Sequence, residues 1–322
     1  MLKRLFLILI SLVFALLSAG CTAPEPSEEI PEIPEIKEPF YGADPFIMLW
    51  EGKYYLYPTA QAPSEAQDGY KVYVSDDLES WECNGYALHA DNVKGDSGFW
   101  APDITYKDGK FYMVYTANEH LGIAVSDSPL GPFVQKEEKW LSEKEAIDGH
   151  FFTDDDGTTY LYYVRFGGGN KIYASKMSDD LMTLDEDSEV LLISAEDEWE
   201  TRDERVVEGA FVIKHNGLYY LSYSANHTRS ADYAVGYAGS EDPLGPFVKY
   251  EGNPILKKDE SVVGVGHHSF AKIGENEWVC AYHSHFAPNQ FRPRVLHVGY
   301  AEFVKDENGG ADILAIYKAK EN

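Results

Sequence analysis

Five polar residues recur in matching settings along the chain, and each is of a type that holds or moves a proton. Asp44 stands in Ala43-Asp44-Pro45-Phe46-Ile47, and Asp103 in Trp100-Ala101-Pro102-Asp103-Ile104. Asp148 stands in Ile147-Asp148-Gly149-His150-Phe151-Phe152, and His267 in Gly266-His267-His268-Ser269-Phe270. Glu208 lies in Arg205-Val206-Val207-Glu208-Gly209-Ala210-Phe211, among residues that belong inside a fold. Apolar surroundings disfavour the ionised form and raise a carboxylate's pKa, which suits a general acid. A second carboxylate that stays ionised would supply the base. Alone, each residue reads as an ordinary strand-edge acid; chemistry requires that they meet.

The elements that would bring them together are repeated. Each key residue is followed by a short apolar run, a turn, and an alternating aromatic run. Examples are Glu51-Gly52 before Lys53-Tyr54-Tyr55-Leu56-Tyr57, and Asn216-Gly217 before Leu218-Tyr219-Tyr220-Leu221-Ser222-Tyr223. Asp44, Asp103, Asp148, Glu208 and His267 stand 59, 45, 60 and 59 residues apart. Strand–turn–strand units at such a period are propeller blades, so the spacing predicts an all-β, five-bladed β-propeller with the five residues opening the innermost strands. Outer strands are predicted over Val72–Trp81, Ile123–Phe133, Ile172–Leu181 and Val235–Phe247, and Ile313–Tyr317 is expected to help close the ring.

The chain has 322 residues, a formal net charge of −27, 14% aromatic residues and 23 Tyr. The acidic balance argues against nucleic acid, whose phosphates need Lys and Arg. Aromatic faces without positive charge suit a neutral ligand such as a sugar. Met1-Leu2-Lys3-Arg4, the apolar run Leu5–Leu17 and small Ser18-Ala19-Gly20 read as a secretory leader over 1–21. Leu17-Ser18-Ala19-Gly20-Cys21 resembles a prokaryotic lipobox, which implies a lipid on Cys21 and an extracytoplasmic, membrane-anchored protein. Residues 22–39 repeat Ile-Pro-Glu and read as an extended tether, with the folded domain over 40–322. Cys83 and Cys280 fall in the first and last repeats, neighbours in a closed ring; sequence carries no pairing geometry, and they are read as buried free thiols.

Over residues 40 to 318 the five motifs, in this order and spacing, resemble glycoside hydrolase family 43. The resemblance implies inverting hydrolysis of α-L-arabinofuranosides or β-D-xylosides, with Asp44 as general base, Glu208 as general acid and Asp148 as its orienter and pKa modulator. His267 resembles the axial histidine that faces a central ion, often calcium, through water. Arg294 resembles the pocket arginine, with Arg292 its competitor; Trp100 resembles the aromatic pocket wall, and Phe46 is taken as a further substrate contact. Fructan hydrolases are disfavoured, because Glu208 precedes Gly rather than Cys and no Arg-Asp-Pro is present.

Inversion needs a protonated acid at the leaving oxygen and an ionised base at a water on the opposite face. Asp148 is expected to keep Glu208 protonated through like charge. Asp103 and His150 are read as scaffold, and His283, His285 and His297 as packing or rim residues. The leading reading is an exo-acting enzyme that releases terminal L-arabinofuranose from arabinan or arabinoxylan. A β-xylosidase acting on xylo-oligosaccharides is the alternative, and an endo-arabinanase the third. From other classes, a non-catalytic carbohydrate-binding propeller and an ion-holding structural propeller remain open.

Overall fold

The computed structural model describes residues 35–37 and 39–318. The leader, Cys21 and most of the tether lie outside the described residues. Blade 1 is β1 (Ala43–Trp50), β2 (Lys53–Thr59), β3 (Gly69–Ser75) and β4 (Glu82–His89). Blade 2 has three strands, β5 (Trp100–Lys107), β6 (Lys110–Ala117) and β7 (His120–Ser126). Blade 3 is β8 (Ile147–Thr153), β9 (Thr159–Arg165), β10 (Lys171–Met177) and β11 (Leu184–Ser194). Blade 4 is β12 (Val207–His215), β13 (Leu218–Ala225), β14 (Ala234–Ser240) and the two-residue β15 (Val248–Lys249). Blade 5 is β16 (Gly266–Lys272), β17 (Glu277–Ser284), β18 (Val295–Val304) and β19 (Ile313–Lys318).

Local chemistry sets the inner hairpins. Glu51-Gly52, Asp108-Gly109 and Asn216-Gly217 each have two positive φ angles, the two-residue turn whose twist matches the flanking strands. The aromatic runs then pack blade against blade. Five apolar cores result, one in each gap between neighbours, so the five blades close into the expected propeller. Tyr57 and Tyr162 reach across two gaps to bond the carbonyls of Pro129 and Pro243 in the near-copied Ser-Pro-Leu-Gly-Pro-Phe and Asp-Pro-Leu-Gly-Pro-Phe turns.

Ring closure differs from expectation. β19 is the outermost strand of blade 5 and closes only that sheet. The ring is joined instead by the segment before β1: Tyr41 bridges Val295, Gly42 N–H donates to the Arg294 carbonyl, and Leu296 N–H to the Phe40 carbonyl. Cys83 and Cys280 are both free; Cys280 is buried as expected, but Cys83 is exposed on β4.

Every inner strand carries a bulge near its start, and this bulge sets which side chain faces the axis. The bulged residue is left-handed in all five blades: Asp44 (φ 46°), Ala101 (φ 50°), Asp148 (φ 57°), Gly209 (φ 60°) and His267 (φ 41°). Asp103 therefore sits two residues past the position of Asp44, Asp148 and His267, and Glu208 one residue before it. The five residues form two tiers rather than one ring.

Candidate active site

The upper tier is pinned by side chains that end the second strand of the preceding blade. The Asp44 N–H donates to His283 Nδ1 (3.1 Å), Ala101 N–H to Thr59 Oγ1 (3.0 Å), Asp148 N–H to Thr116 Oγ1 (3.3 Å) and His267 N–H to Ser224 Oγ (2.7 Å). Blade 3 breaks the pattern with Val164, which cannot accept, and the Gly209 N–H acts on the Asp148 carboxylate instead. Left-handed backbone at a non-glycine residue is costly, and these four bonds offset the strain.

The lower tier holds the strands to one another. Phe151 N–H donates to Asp103 Oδ1 (3.1 Å), Val212 N–H to His150 Nε2 (3.0 Å) and Ile47 N–H to Ser269 Oγ (2.9 Å). His150 Nδ1 also meets Asp103 Oδ2 at 2.7 Å. Asp103 and His150 are thus satisfied scaffold, as their sequence setting suggested. Phe46 occupies the same register in blade 1. It is 7% exposed, packs in the core between blades 1 and 2, and lines the axial cavity together with Asp44, Asp148 and His267.

At the upper tier, the carboxyl groups of Asp44, Asp148 and Glu208 from three blades act on one another. Arg294 grips Asp44 in two-pronged fashion, Nη1 to Oδ1 at 2.9 Å and Nη2 to Oδ2 at 3.4 Å. His267 Nδ1 lies 3.5 Å from Asp44 Oδ1 and 3.9 Å from Asp148 Oδ2. Glu208 is partly buried; Tyr233 Oη donates to its Oε1 (2.8 Å) and Asn170 Nδ2 to its Oε2 (3.2 Å). Trp100 opens β5 at the register position that Glu208 holds in blade 4.

The neighbours drive the acids apart. Burial is the largest single influence on Asp44 and resists its ionisation, but Arg294, His267, His283 and a Thr59 hydrogen bond together outweigh it and hold the carboxyl well below the usual carboxylate range. Burial pushes both imidazoles towards their neutral form, so we assign the main counter-charge to Arg294. Burial pushes Glu208 up to about 7; the bonds from Tyr233 and Asn170 oppose it, and the Asp44 charge adds to it. Asp148 is also raised, by burial and then by the charges of Glu208 and Asp44. Asp148 and Glu208 disfavour each other's ionised form, so this like charge acts beside burial and Asp44 in favouring a proton on the pair.

Sequence reasoning missed His283, Thr228, Tyr233 and Asn170. His283 was legible in one pattern: Tyr115-Thr116, Tyr223-Ser224 and Tyr282-His283 end their strands alike, an aromatic followed by an acceptor. Arg292 and Arg294 both lie over the Phe291 ring, but Arg292 is exposed whereas Arg294 is buried and bonds Asp44. Calcium takes six to eight oxygens. Among the described residues no three His, Cys, Asp or Glu side chains converge as ligands. The axial cavity beneath His267 and His268 has a volume of about 20 Å³, room for one water-sized particle. The residues present do not form a direct calcium site.

A propeller whose mouth pairs a protonated carboxylic acid with an ionised carboxylate is built for glycoside hydrolysis. The sequence profile of "Glycosyl hydrolases family 43" matches residues 37–307. The chain belongs to that family. It is 28% identical to a Xylosidase/arabinosidase of Bacteroides ovatus, over 84% of this chain and 93% of that protein. The crystal structure of an endo-1,4-beta-xylanase from Bacteroides thetaiotaomicron is 38% identical, with a TM-score of 0.79 over 87% of this chain and 96% of the other. That of a thermostable family-43 glycoside hydrolase is 37% identical, with a TM-score of 0.77 over 90% and 97%.

Proposed function

We propose that the protein is an inverting glycoside hydrolase that releases terminal L-arabinofuranose from arabinan or arabinoxylan. The observation that carries the reading is the opposed state of Asp44 and Glu208. Glu208, neutral below about 7, protonates the leaving oxygen. Asp44, ionised and clamped by Arg294, takes the proton of a water that attacks the anomeric carbon from the other face. Asp148, between His267 and the Gly209 amide, orients the acid.

A β-xylosidase is the second reading, favoured by the relatives named for xylose as well as arabinose. Turnover of paired 4-nitrophenyl arabinofuranoside and xyloside decides between them, and activity on neither would remove both exo-acting readings. NMR of the product during turnover should show the inverted anomer; a retained anomer would make one carboxylate a nucleophile. We further propose lipid anchoring at Cys21. Wild type should partition into detergent and Cys21→Ala should not; equal partitioning leaves plain secretion. An axial calcium held through water beside His267 is a separate proposal, tested by metal analysis and melting before and after chelation. No catalytic step above passes through it.

A further inference from the structure

β9 and β10 are joined by Phe166-Gly167-Gly168-Gly169-Asn170. Their last register pair is Arg165 with Lys171, so Phe166 and Asn170 leave that pair side by side as the two ends of the loop. Asn170 is the residue that donates to Glu208. Phe166 leaves 41% of its surface exposed, in a chain whose aromatic rings are mostly inside.

Both ends of this loop are held. Buried Arg165 donates from Nε and Nη2 to Glu189 Oε2 (2.9 and 2.6 Å) and from Nη1 to the carbonyls of Lys144 and Glu145 (3.0 Å each). Asn170 N–H donates to the Arg205 carbonyl (3.0 Å), and Val207 N–H to the Asn170 carbonyl (3.3 Å), which ties the loop to the start of the acid's strand. Between these anchors the three glycines have φ of 139°, 68° and 111°, values that side chains rarely adopt. A Cβ at Gly167 or Gly168 would meet nothing within 4 Å, while at Gly169 it would strike the Arg205 carbonyl oxygen at 2.0 Å. The loop thus carries an exposed ring at one end and the acid's hydrogen-bond partner Asn170 at the other, with open space at Gly167 and Gly168.

We propose that this loop is the leaving-group subsite, with Phe166 as the platform for the departing sugar ring. The inference rests on the hydrolase reading above. Glu208 gives its proton to the leaving oxygen, so the departing group lies on the Glu208 side of the mouth, against the residues that hold that acid. A sugar ring presents an apolar C–H face, and an aromatic ring fixed in place covers it at little entropic cost. The glycines put no side chain in the path of that ring. The favoured substrate is then a glycoside whose leaving group is itself a sugar, rather than a small alcohol.

The test compares kcat and KM for wild type, Phe166→Ala and Phe166→Trp on a methyl pentoside and on the disaccharide of the same pentose. Phe166→Ala should raise KM for the disaccharide about ten-fold with kcat little changed, the mark of lost binding shared by ground and transition states. The methyl pentoside should change by less than about two-fold, and Phe166→Trp should keep most of the disaccharide affinity. Equal losses on both substrates, or none on the disaccharide, overturn the subsite while the hydrolase reading stands. A wild type that cleaves neither substrate overturns both.

Discussion

Asp44 and Glu208 are carboxylic acids of one site in opposite protonation states, and the difference is made by neighbours. Arg294 holds one proton off and burial keeps the other on. The dependence of kcat/KM on pH should therefore have an alkaline limb near pH 7, where Glu208 loses its proton, and an acid limb below the usual carboxylate range, where Asp44 gains one. Glu208→Gln should cost ~10²–10⁴ in rate on a sugar leaving group and much less on an activated aryl one; equal losses on both would remove the acid from Glu208. Tyr233→Phe deletes a hydrogen bond that favours the ionised form. Its alkaline limb should move up, and a limb that stays in place or falls would show that Tyr233 does not tune the acid. The stability sign follows the same shift. Glu208 titrates higher folded than in its ordinary range near 4.5, so its contribution is full below that value and is lost as pH rises through about 7.

At the scale of elements, the bulge is the device that matters. It turns one residue of each inner strand into left-handed backbone and splits the polar residues into a catalytic tier and a scaffold tier. Asp103 illustrates the split. It looks like the other acids in sequence, yet its carboxylate serves His150 and the Phe151 amide. Asp103→Ala should cost about 3–5 kcal/mol in denaturant unfolding, because it strands a buried imidazole and an amide. The folded fraction should keep nearly wild-type kcat. A large kcat loss in a fully stable variant would return Asp103 to the site.

For the whole molecule, the join between blades 5 and 1 is the point of interest. Its apolar core has eight buried residues, against sixteen between blades 1 and 2. Polar bonds make up the difference: Ser269 accepts from Ile47 N–H and donates to the Pro45 carbonyl, and Arg294 crosses the gap to Asp44. Asp44, the proposed base, is thus also part of the clasp. Ser269→Ala removes both Ser269 bonds without touching the mouth and should lower unfolding stability by about 1–3 kcal/mol. An unchanged melting curve would mean that the join does not depend on Ser269.

The propeller and its blade count were legible because strand alternation and X-Gly turns act over two to eight residues, within reach of a pattern. Asp44, Asp148, Glu208 and His267 were legible because they fall in or beside the bulge that repeats with each blade. What the chain order could not show was the phase of each bulge. In blade 2 the bulge falls at Ala101, two residues before Asp103, and the Asp103 carboxylate is taken up by His150 and the Phe151 amide. Nor could it show contacts made across the ring. Arg294 meets Asp44 from 250 residues away, and His283 meets it from 239. Those contacts, and the burial they create, decide which carboxyl keeps its proton, and only the closed propeller brings them about.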